Sequence, residues 1–444
     1  MSEKENCQPE NKPSSDALNS LLDQLMASKN ILSELLINSE KVNNDFLLLV
    51  QEKRRMAIEH GIVKVAETLT LLAHGAKQCI TARHRFKNLA MLDVESILFA
   101  GEAVPEEYYS CVFLDGNIMF GHDYIGFCCV PHTSPDKGNV TIGPFSGGDI
   151  PLDLVFSTRA KLRLDNNRPG CDTRCTGCPF LTKKNWRKKF AFDRLVLAHI
   201  ALCNLRCSYC GVPTSSPQTY DVMPILNYLD KHGFLANDTY VEMAGGEPGL
   251  FKEFEEIMQF ILKRKMFVQM ASNATIYSES VKAALTEDRL TLCTSIDSGS
   301  RESFKRIRGK DLYDQVWENL GRYAAVNKRR VEPKYIIMDE NSGEPELLGF
   351  VEKCVEKGMA HFVISRDVRK YRNSTLVENA FPEQLLNAVI FLAHEAAIRG
   401  LAFHFSHFTD KEMIKVRVEV IRKLMNKDLV RYQDLIKKIM EEIK

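Results

Sequence analysis

The sequence lacks a surplus of charge of either sign. Its 444 residues include 59 Lys and Arg against 58 Asp and Glu, which gives a formal net charge of +1. With no overall positive field, the chain has no general attraction for nucleic acid or for an anionic membrane. We therefore expect partners to be recognised by local sites, with nucleic acid ranked behind peptides and small molecules.

Long apolar runs are also missing. No uninterrupted run approaches the roughly 20 residues of a membrane-spanning helix, and Met1 to Asp16 is polar, without the apolar core of a signal sequence. We expect no membrane association and a cytoplasmic location. The 45% hydrophobic and 26% charged residues are typical of a globular chain, long enough for two or three domains.

Cysteine, by contrast, is abundant, with 13 residues. In a reducing compartment such a count indicates metal ligands or catalytic thiols more readily than disulfides. Six lie in one central segment, three lie close together further on, and four lie apart from both groups. In that order they are Cys111, Cys128, Cys129, Cys171, Cys175 and Cys178; Cys203, Cys207 and Cys210; and Cys7, Cys79, Cys293 and Cys354.

The texture of the sequence predicts four segments. Residues 1–88 read as a polar tail and a helical region, whose heptad-like leucines could form a homodimer seam or pack onto the chain's own core. Residues 89–189 have the short apolar runs and turn residues of a small β-rich segment, followed by a basic linker. Residues 190–378 alternate strand and helix patterns, and residues 379–444 are helical.

The alternating segment predicts an α/β fold. Six strands separated by helical stretches imply parallel crossovers, and thus a partial (β/α)6 barrel with its chemistry at the carboxyl ends of the strands. The strands are expected near residues 195–202, 240–244, 267–271, 290–296, 334–338 and 361–365.

A cysteine triplet follows the first of these strands, Cys203-Asn-Leu-Arg-Cys207-Ser-Tyr-Cys210. Three thiolates within eight residues can hold three corners of a 4Fe–4S cluster and leave the fourth iron open to a ligand. A zinc knuckle is the alternative, although zinc motifs usually consist of two cysteine pairs.

This triplet, with Tyr209 before its third cysteine, resembles the signature of the radical S-adenosylmethionine (radical SAM) enzymes. Gly245-Gly246-Glu247-Pro248, at the end of the next strand, resembles that family's Gly-Gly-Glu-Pro motif. The resemblance implies that the backbone and the Glu247 carboxylate hold the ammonium group of S-adenosylmethionine (SAM). A cation needs such an acceptor, and glycine lets the backbone approach a ligand closely.

Further matches follow in the order that the family has. Ser272-Asn273 resembles its polar ribose contacts, and Ser295-Ile-Asp297-Ser298 resembles the motif common after the fourth strand. Arg308-Gly309 resembles a later Arg-Gly, whose arginine can meet the methionine carboxylate. The resemblance covers about residues 192–369, and the order of its motifs makes coincidence a poor explanation.

A second triplet of the same spacing, Cys171, Cys175 and Cys178, lies upstream in a turn-rich segment. With Cys111, Asp115-Gly116 and Phe127-Cys128-Cys129, it resembles an auxiliary-cluster segment of the type called SPASM or twitch. The resemblance implies an auxiliary 4Fe–4S cluster, although in that family the segment usually follows the barrel, whereas here it precedes it. A zinc site built from the same cysteines is the alternative.

The resemblance implies a concrete activity. An electron from a flavodoxin- or ferredoxin-type reductant would reach the cluster at Cys203, Cys207 and Cys210, and SAM would be cleaved to methionine and a 5′-deoxyadenosyl radical. That radical would take hydrogen from a peptide or a small biosynthetic substrate, such as a sugar derivative, for oxidation, rearrangement or epimerisation. The alternatives are RNA modification, suggested by the basic linker and by Arg366 to Arg372, and a non-catalytic zinc or iron–sulfur scaffold.

Other candidates come from single residues. Cys293 has the same strand parity as Ser295 and Asp297, so it is expected to face the barrel interior, where a thiol could return a hydrogen atom as an epimerase requires. The alternative for Cys293 is a small apolar core residue. His404 and His407, with His394 nearby, have no adjacent carboxylate pattern, which favours ordinary packed or surface histidines over metal ligands.

Overall fold

The computed structural model describes residues 107–128, 140–178, 180–186, 191–212, 220–367 and 382–408, with a few isolated positions besides. The chain divides into two compact units: unit 1 comprises Met1–Val196 and Val222–Thr239, and unit 2 comprises Leu197–Asp221 and Tyr240–Lys444. The predicted N-terminal helices and their dimer seam lie outside the described residues.

Unit 1 combines short strands with helices. In chain order its elements are β1 (Tyr108–Ser110), α1 (Val112–Gly116), β2 (Asn117–Gly121), β3 (Tyr124–Gly126), β4 (Thr141–Pro144), α2 (Leu152–Asn167), β5 (Thr182–Lys184) and α3 (Met223–Lys231). β1 pairs with β5, and β3 pairs with both β2 and β4, all antiparallel. Five short strands lie in the segment predicted to be β-rich, but so does α2, whose 16 residues were not predicted to be helical.

The core of unit 1 contains two buried arginines from α2. The Arg159 guanidinium lies 5.2 Å from the ring centroid of Phe127 and 5.0 Å from that of Phe192, and burial lowers the pKa of Arg159 to about 9. Arg163 donates two hydrogen bonds to Asp115 Oδ1, at 3.0 and 2.8 Å. This second arginine therefore forms a buried ion pair between α2 and α1.

Unit 2 alternates strands and helices. β6 (Phe192–Ile200) and β7 (Leu235–Gly245) begin in unit 1 and end in unit 2. The later elements are α4 (Phe254–Lys263), β8 (Phe267–Ala271), α5 (Glu279–Thr286), β9 (Leu290–Ser295), α6 (Arg301–Arg308), α7 (Tyr313–Asn327), β10 (Val331–Ile337), α8 (Glu344–Glu356), β11 (His361–Arg366), α9 (Glu383–Ile398) and β12 (Ala402–Ser406).

The strands of unit 2 form a mostly parallel sheet. β7 to β12 are neighbours in sequence order, and each neighbouring pair among them is parallel. All six strands expected from the sequence are present, five of them with shifted ends. β12 is a further parallel strand within residues 379–444, which the sequence predicted to be helical. None of the described helices has the length and apolar character needed to cross a membrane.

Residue alternation explains which side of the sheet is packed. Along β10 the odd-numbered residues from Val331 to Ile337 are buried, and the even-numbered ones are partly exposed. Because successive strand side chains point to opposite faces, one face packs on apolar side chains while the other carries polar groups. Glu332 and Lys334 lie on that second face.

Candidate active site

The loop Cys203–Cys210 follows the carboxyl end of β6 and is held by the last turn of α6. The backbone N–H groups of Arg206 and Ser208 donate to the carbonyls of Arg308 (3.0 Å) and Ile307 (2.8 Å). Such terminal carbonyls have no partner within their own helix, so the loop satisfies them. α6 ends at Gly309, whose φ is +78°, and a Cβ there would lie 2.7 Å from the Arg206 carbonyl oxygen.

The Gly-Gly-Glu motif at the end of β7 packs against the start of this loop. Gly246 N–H donates to Ile200 O at 2.6 Å, and Glu247 N–H donates to Leu202 O at 2.8 Å. A Cβ on Gly246 would lie 2.1 Å from Leu202 O, and Gly245 has a φ of +104°. That these glycines let the backbone approach a ligand stays a prediction; in the structure they are needed where backbone packs on backbone.

The Glu247 carboxylate is buried, with 2% of the residue exposed. Its Oε1 accepts hydrogen bonds from Ser272 Oγ (2.8 Å) and Gly249 N–H (3.2 Å), and Oε2 accepts one from Asn273 N–H (2.6 Å). Burial raises the pKa of Glu247, and these hydrogen bonds oppose the rise. A carboxylate has about four lone-pair sites, so one on Oε2 remains for a cation such as an ammonium group.

Asn273 joins this carboxylate to the cysteine loop. Its Nδ2 donates to Asn204 Oδ1 at 2.8 Å and lies 3.7 Å from Cys203 Sγ, while its Oδ1 accepts from Thr275 N–H at 2.9 Å. Asn204 Nδ2 in turn donates to Thr275 Oγ1 at 2.9 Å. The sequence predicted that Asn273 contacts the ribose, and it gave no role to Asn204 or Thr275. The signal that could have found them was the side-chain amide of Asn204, which lies inside the cysteine triplet.

A second buried network links the third-cysteine side of the loop to β9 and α6. Asp297 is fully buried with a φ of +58°, and its Oδ1 accepts from Ile336 N–H at 2.8 Å. Its Oδ2 accepts from the Tyr209 hydroxyl and from Arg308 Nη1 (3.2 Å), and Arg308 also donates to the Tyr209 oxygen. Burial raises the pKa of Asp297, and the Arg308 cation opposes the rise.

Arg308 also supplies positive charge beside the thiols. Burial raises the pKa of Cys207 to about 11, and the Arg308 cation works against it. Among the described atoms, Arg308 Nε is buried without a hydrogen-bond partner. A buried guanidinium with a donor to spare suits an anionic cluster of thiolates and the carboxylate of a bound amino acid. The three thiols, Glu247 and Arg308 thus fit a 4Fe–4S cluster with SAM.

Cys293 and Ser295 lie on the polar face of β9. Cys293 is paired in register with Glu332 of β10, and Ser295 is paired with Lys334. Burial raises the pKa of Cys293 to about 11, so the thiol keeps its hydrogen at neutral pH. The role of Cys293 as a hydrogen-atom donor stays a prediction, and its position on the same face as Ser295 is consistent with it.

The unit 1 cysteines are partly gathered. Cys111 is buried at the start of α1, where its Sγ accepts from Leu114 N–H at 3.3 Å. Burial raises the pKa of Cys111 to about 12, and the neighbouring thiols of Cys175 and Cys128 raise it further. These three thiols are therefore close enough to interact electrostatically.

The other three predicted cluster ligands of unit 1 are each in a different situation. Cys171 is disulfide-bonded. Cys178 is a partly exposed free thiol in a turn closed by its N–H to the Cys175 carbonyl (3.0 Å). Cys129 lies outside the described residues.

The remaining polar candidates have local partners. His394 Nδ1 lies 3.0 Å from Glu395 Oε1 within α9, and His407 Nδ1 lies 3.0 Å from Ser365 Oγ. Arg366 Nε donates to the His407 carbonyl at 2.6 Å. The other basic residues of this stretch, Arg369, Lys370 and Arg372, lie outside the described residues.

Comparison with known proteins agrees with this geometry. Residues 197–351 match the model of the Radical SAM superfamily. GTP 3′,8-cyclase of Pasteurella multocida is 23% identical over 240 residues, which are 50% of this chain and 68% of that protein. The enzyme of the same name from Vibrio cholerae is 26% identical over 181 residues, 37% of this chain and 51% of that protein.

The chain spans about half the length of most of the curated relatives that it matches. Among solved structures, SuiB of Streptococcus suis bound to S-adenosylmethionine is 15% identical, with a TM-score of 0.39, covering 59% of this chain and 57% of SuiB. The family match, together with the cysteine loop and Glu247 at the carboxyl ends of neighbouring strands, identifies residues 197–351 as a domain of the radical SAM superfamily of enzymes.

Proposed function

We propose that this protein cleaves SAM reductively and uses the resulting radical on a small biosynthetic molecule. The observation that carries the proposal is that two buried networks of unit 2 both reach the cysteine loop: Asn273, which binds the Glu247 carboxylate, lies 3.7 Å from Cys203 Sγ, and the Arg308 cation interacts with the Cys207 and Cys203 thiols. A cluster held by Cys203, Cys207 and Cys210 would supply one electron to SAM, producing methionine and a 5′-deoxyadenosyl radical.

The chain's own residues would bind and orient SAM. The free lone pair of Glu247 Oε2 would accept the methionine ammonium group, and Arg308 Nε would donate to the methionine carboxylate. Asp297 and Tyr209 would keep the guanidinium in place, since both bond to it. The resulting arrangement fixes SAM beside the loop and excludes water from it.

A nucleotide is the first substrate to test. The relatives are named for an activity on GTP, and two cations lie on the later strands, Lys334 on the polar face of β10 and Arg366 at the carboxyl end of β11. A cationic side chain at a strand end suits a phosphate-bearing substrate. Peptides and sugar derivatives are the other candidates, and Cys293 would serve a reaction that needs hydrogen returned.

We also propose an auxiliary 4Fe–4S cluster in unit 1. The support is the electrostatic interaction among Cys111, Cys128 and Cys175, with Cys178 in the adjoining turn. Two 4Fe–4S clusters would give about eight iron atoms per chain. Reconstitution that yields only about four, with no further loss in Cys175→Ala, would leave a zinc site or no site in unit 1.

The central test is anaerobic reconstitution followed by a dithionite assay with SAM. The wild-type protein should release 5′-deoxyadenosine, Cys207→Ala should release none, and Cys354→Ala is the matched control, because Cys354 is a buried free thiol on α8. No product from the wild type, under conditions where a known radical SAM enzyme reacts, would leave only the scaffold alternative.

Substrate class is decided by a second readout. GTP should increase 5′-deoxyadenosine release, and GTP deuterated on its ribose should pass deuterium into that product. If GTP has no effect while basal cleavage persists, the nucleotide proposal is rejected and the SAM chemistry stands. Salt-sensitive tRNA binding together with tRNA-stimulated cleavage would instead support RNA modification.

A further inference from the structure

Three side chains that could ligate a metal ion converge on the strands at one edge of the unit 2 sheet. They are Glu332 on β10, His361 on β11 and His404 on β12, and one donor atom from each lies within 4.8 Å of the others. Among the residues that the structure describes, no other three His, Cys, Asp or Glu side chains have their donor atoms this close together.

Parallel pairing explains the convergence. Lys334 pairs with Val363 and Val363 pairs with His404, while His361 lies two residues before Val363. Because strand side chains alternate with a period of two, Glu332, His361 and His404 lie on the same face of the three strands. The contacts agree, since His361 Nε2 lies 3.5 Å from Glu332 Oε1 and the two imidazole centroids are 5.8 Å apart.

The donor set has a recognisable chemistry. Two imidazoles and one carboxylate are ligands that Zn²⁺ accepts, and three protein ligands leave one position for water. The side chains of Glu332 and His361 are 18% and 15% exposed, so an ion can reach them. Lys334 is on the same face. Its ammonium nitrogen Nζ lies 3.3 Å from His407 Nδ1, so the Lys334 cation has His407 as a partner.

The group is separate from the cysteine loop. Glu332 and His361 are the second and first residues of their strands, whereas the cysteine loop and the Gly-Gly-Glu motif follow the carboxyl ends of β6 and β7. β12 is the last strand in the sheet order, so a shared ion would fasten it to β11 and β10. The sequence favoured an ordinary role for His404 because its carboxylate partner lies 72 residues earlier in the chain.

We propose that Glu332, His361 and His404 bind one divalent transition-metal ion, with Zn²⁺ the best match, and that the ion braces β12 against its neighbours. The site is independent of SAM cleavage, so the failure of either proposal leaves the other intact.

The test is Zn²⁺ binding to the cluster-loaded protein after chelating resin has removed loose metal. Wild type should retain about one Zn²⁺ per chain more than Glu332→Gln or His404→Gln. Loss of an outer-shell partner already weakens metal sites by roughly 10–100-fold, so loss of a direct ligand should weaken this one by at least that much. His232→Gln, an exposed histidine at the end of α3, is the matched control and should bind like wild type.

A second readout separates ligand loss from misfolding. Zn²⁺ should raise the melting temperature of wild type and His232→Gln, because an ion that binds only the folded state stabilises it. It should not raise that of Glu332→Gln or His404→Gln, and the far-UV circular dichroism of the variants should match wild type. Equal Zn²⁺ uptake by wild type and both ligand variants, or no uptake by wild type, would overturn the proposal and leave a simple ion pair.

Discussion

The loops Cys203–Cys210 in unit 2 and Cys171–Cys178 in unit 1 have the same spacing of three cysteines. The unit 2 loop is tied by backbone hydrogen bonds to the end of α6 and to the Gly-Gly-Glu motif. The unit 1 loop is closed by local contacts, such as Thr173 N–H to Thr176 Oγ1 at 2.9 Å. One loop is therefore tied to distant parts of its unit by backbone hydrogen bonds, whereas the other is closed by local hydrogen bonds and linked elsewhere by the Cys171 disulfide and by a hydrogen bond from Thr173 Oγ1 to Asn166 Oδ1 (2.6 Å).

Charge differs as sharply between the two regions. Each unit has a buried Arg–Asp pair, but Arg308 also acts on the Cys207 and Cys203 thiols. In unit 1, burial is the largest cause of the raised pKa of Cys111, and the neighbouring thiols of Cys175 and Cys128 add to the rise. Equal spacing thus gives unequal sites, because chemistry at a cluster needs a fixed counter-charge and an acceptor for SAM as well as thiols.

The largest effect should come from deleting one thiol in each loop. Cys207→Ala should abolish 5′-deoxyadenosine release, because the open-iron cluster loses a ligand. Cys178→Ala should still cleave SAM but lose substrate turnover and part of its iron. Iron analysis and product quantification measure both, and loss of SAM cleavage in both variants to the same extent would erase the functional distinction between the loops.

Next in size is the removal of the buried arginine from each unit. Arg308→Met leaves the Asp297 carboxylate buried without its cation, which should cost about 3–5 kcal/mol of unfolding free energy and also weaken SAM binding. Arg163→Met should cost a similar free energy through Asp115 but leave the Kd for SAM unchanged. Urea denaturation and SAM titration separate the two; a matching rise in Kd for both variants would contradict the assignment of Arg308.

A third difference concerns His199, which precedes the unit 2 loop on β6. Its ring packs 5.3 Å from that of Tyr220 and 5.2 Å from that of Phe251, and neither ring nitrogen has a hydrogen-bond partner among the described atoms. Burial lowers the pKa of His199 from 6.5 to about 4. The unfolded chain therefore takes up the proton first, and stability falls as the pH drops through this window.

The unfolding free energy lost through His199 should reach about 3 kcal/mol once the pH has fallen through the window from 6.5 to about 4. His199→Phe should remove most of this loss. The unfolding free energy of the variant should therefore rise relative to that of wild type from pH 7 to pH 5, and this difference is the gap to be measured. Urea denaturation at both pH values measures the gap. A constant gap would mean that the pKa of His199 is the same in the folded and unfolded states.

The smallest effect should come from adding one methyl group to each region. Gly246→Ala places a Cβ 2.1 Å from Leu202 O, which should cost about 1–3 kcal/mol and move Glu247, thereby raising the Kd for SAM. Gly177→Ala meets no atom within 4 Å, so only its φ of +79° should cost about 1 kcal/mol. Equal SAM affinity in the two variants would mean that the Gly-Gly-Glu packing does not position the site.

Much of unit 2 was predictable because its strands are apolar runs between amphipathic helices. β8 is found at the expected residues, Phe267–Ala271. α2 was missed because the apolar residues of Leu152–Asn167 form no clear helical stripe, and two of the residues that this helix buries are arginines. β12 was missed because His404 and Ser406 dilute a five-residue strand that only pairing with β11 makes regular.

The cysteine spacing expected of a cluster and the order of the motifs that follow it can be read from the sequence alone. Covalent spacing limits where neighbouring thiols can lie, so local pattern is informative there. Only the tertiary structure decided which distant groups meet, as with Asn273 beside Cys203, Arg308 beside Cys207, and Glu332 beside His361 and His404. Parallel pairing and helix packing set those contacts, and neither leaves a mark at a fixed sequence separation.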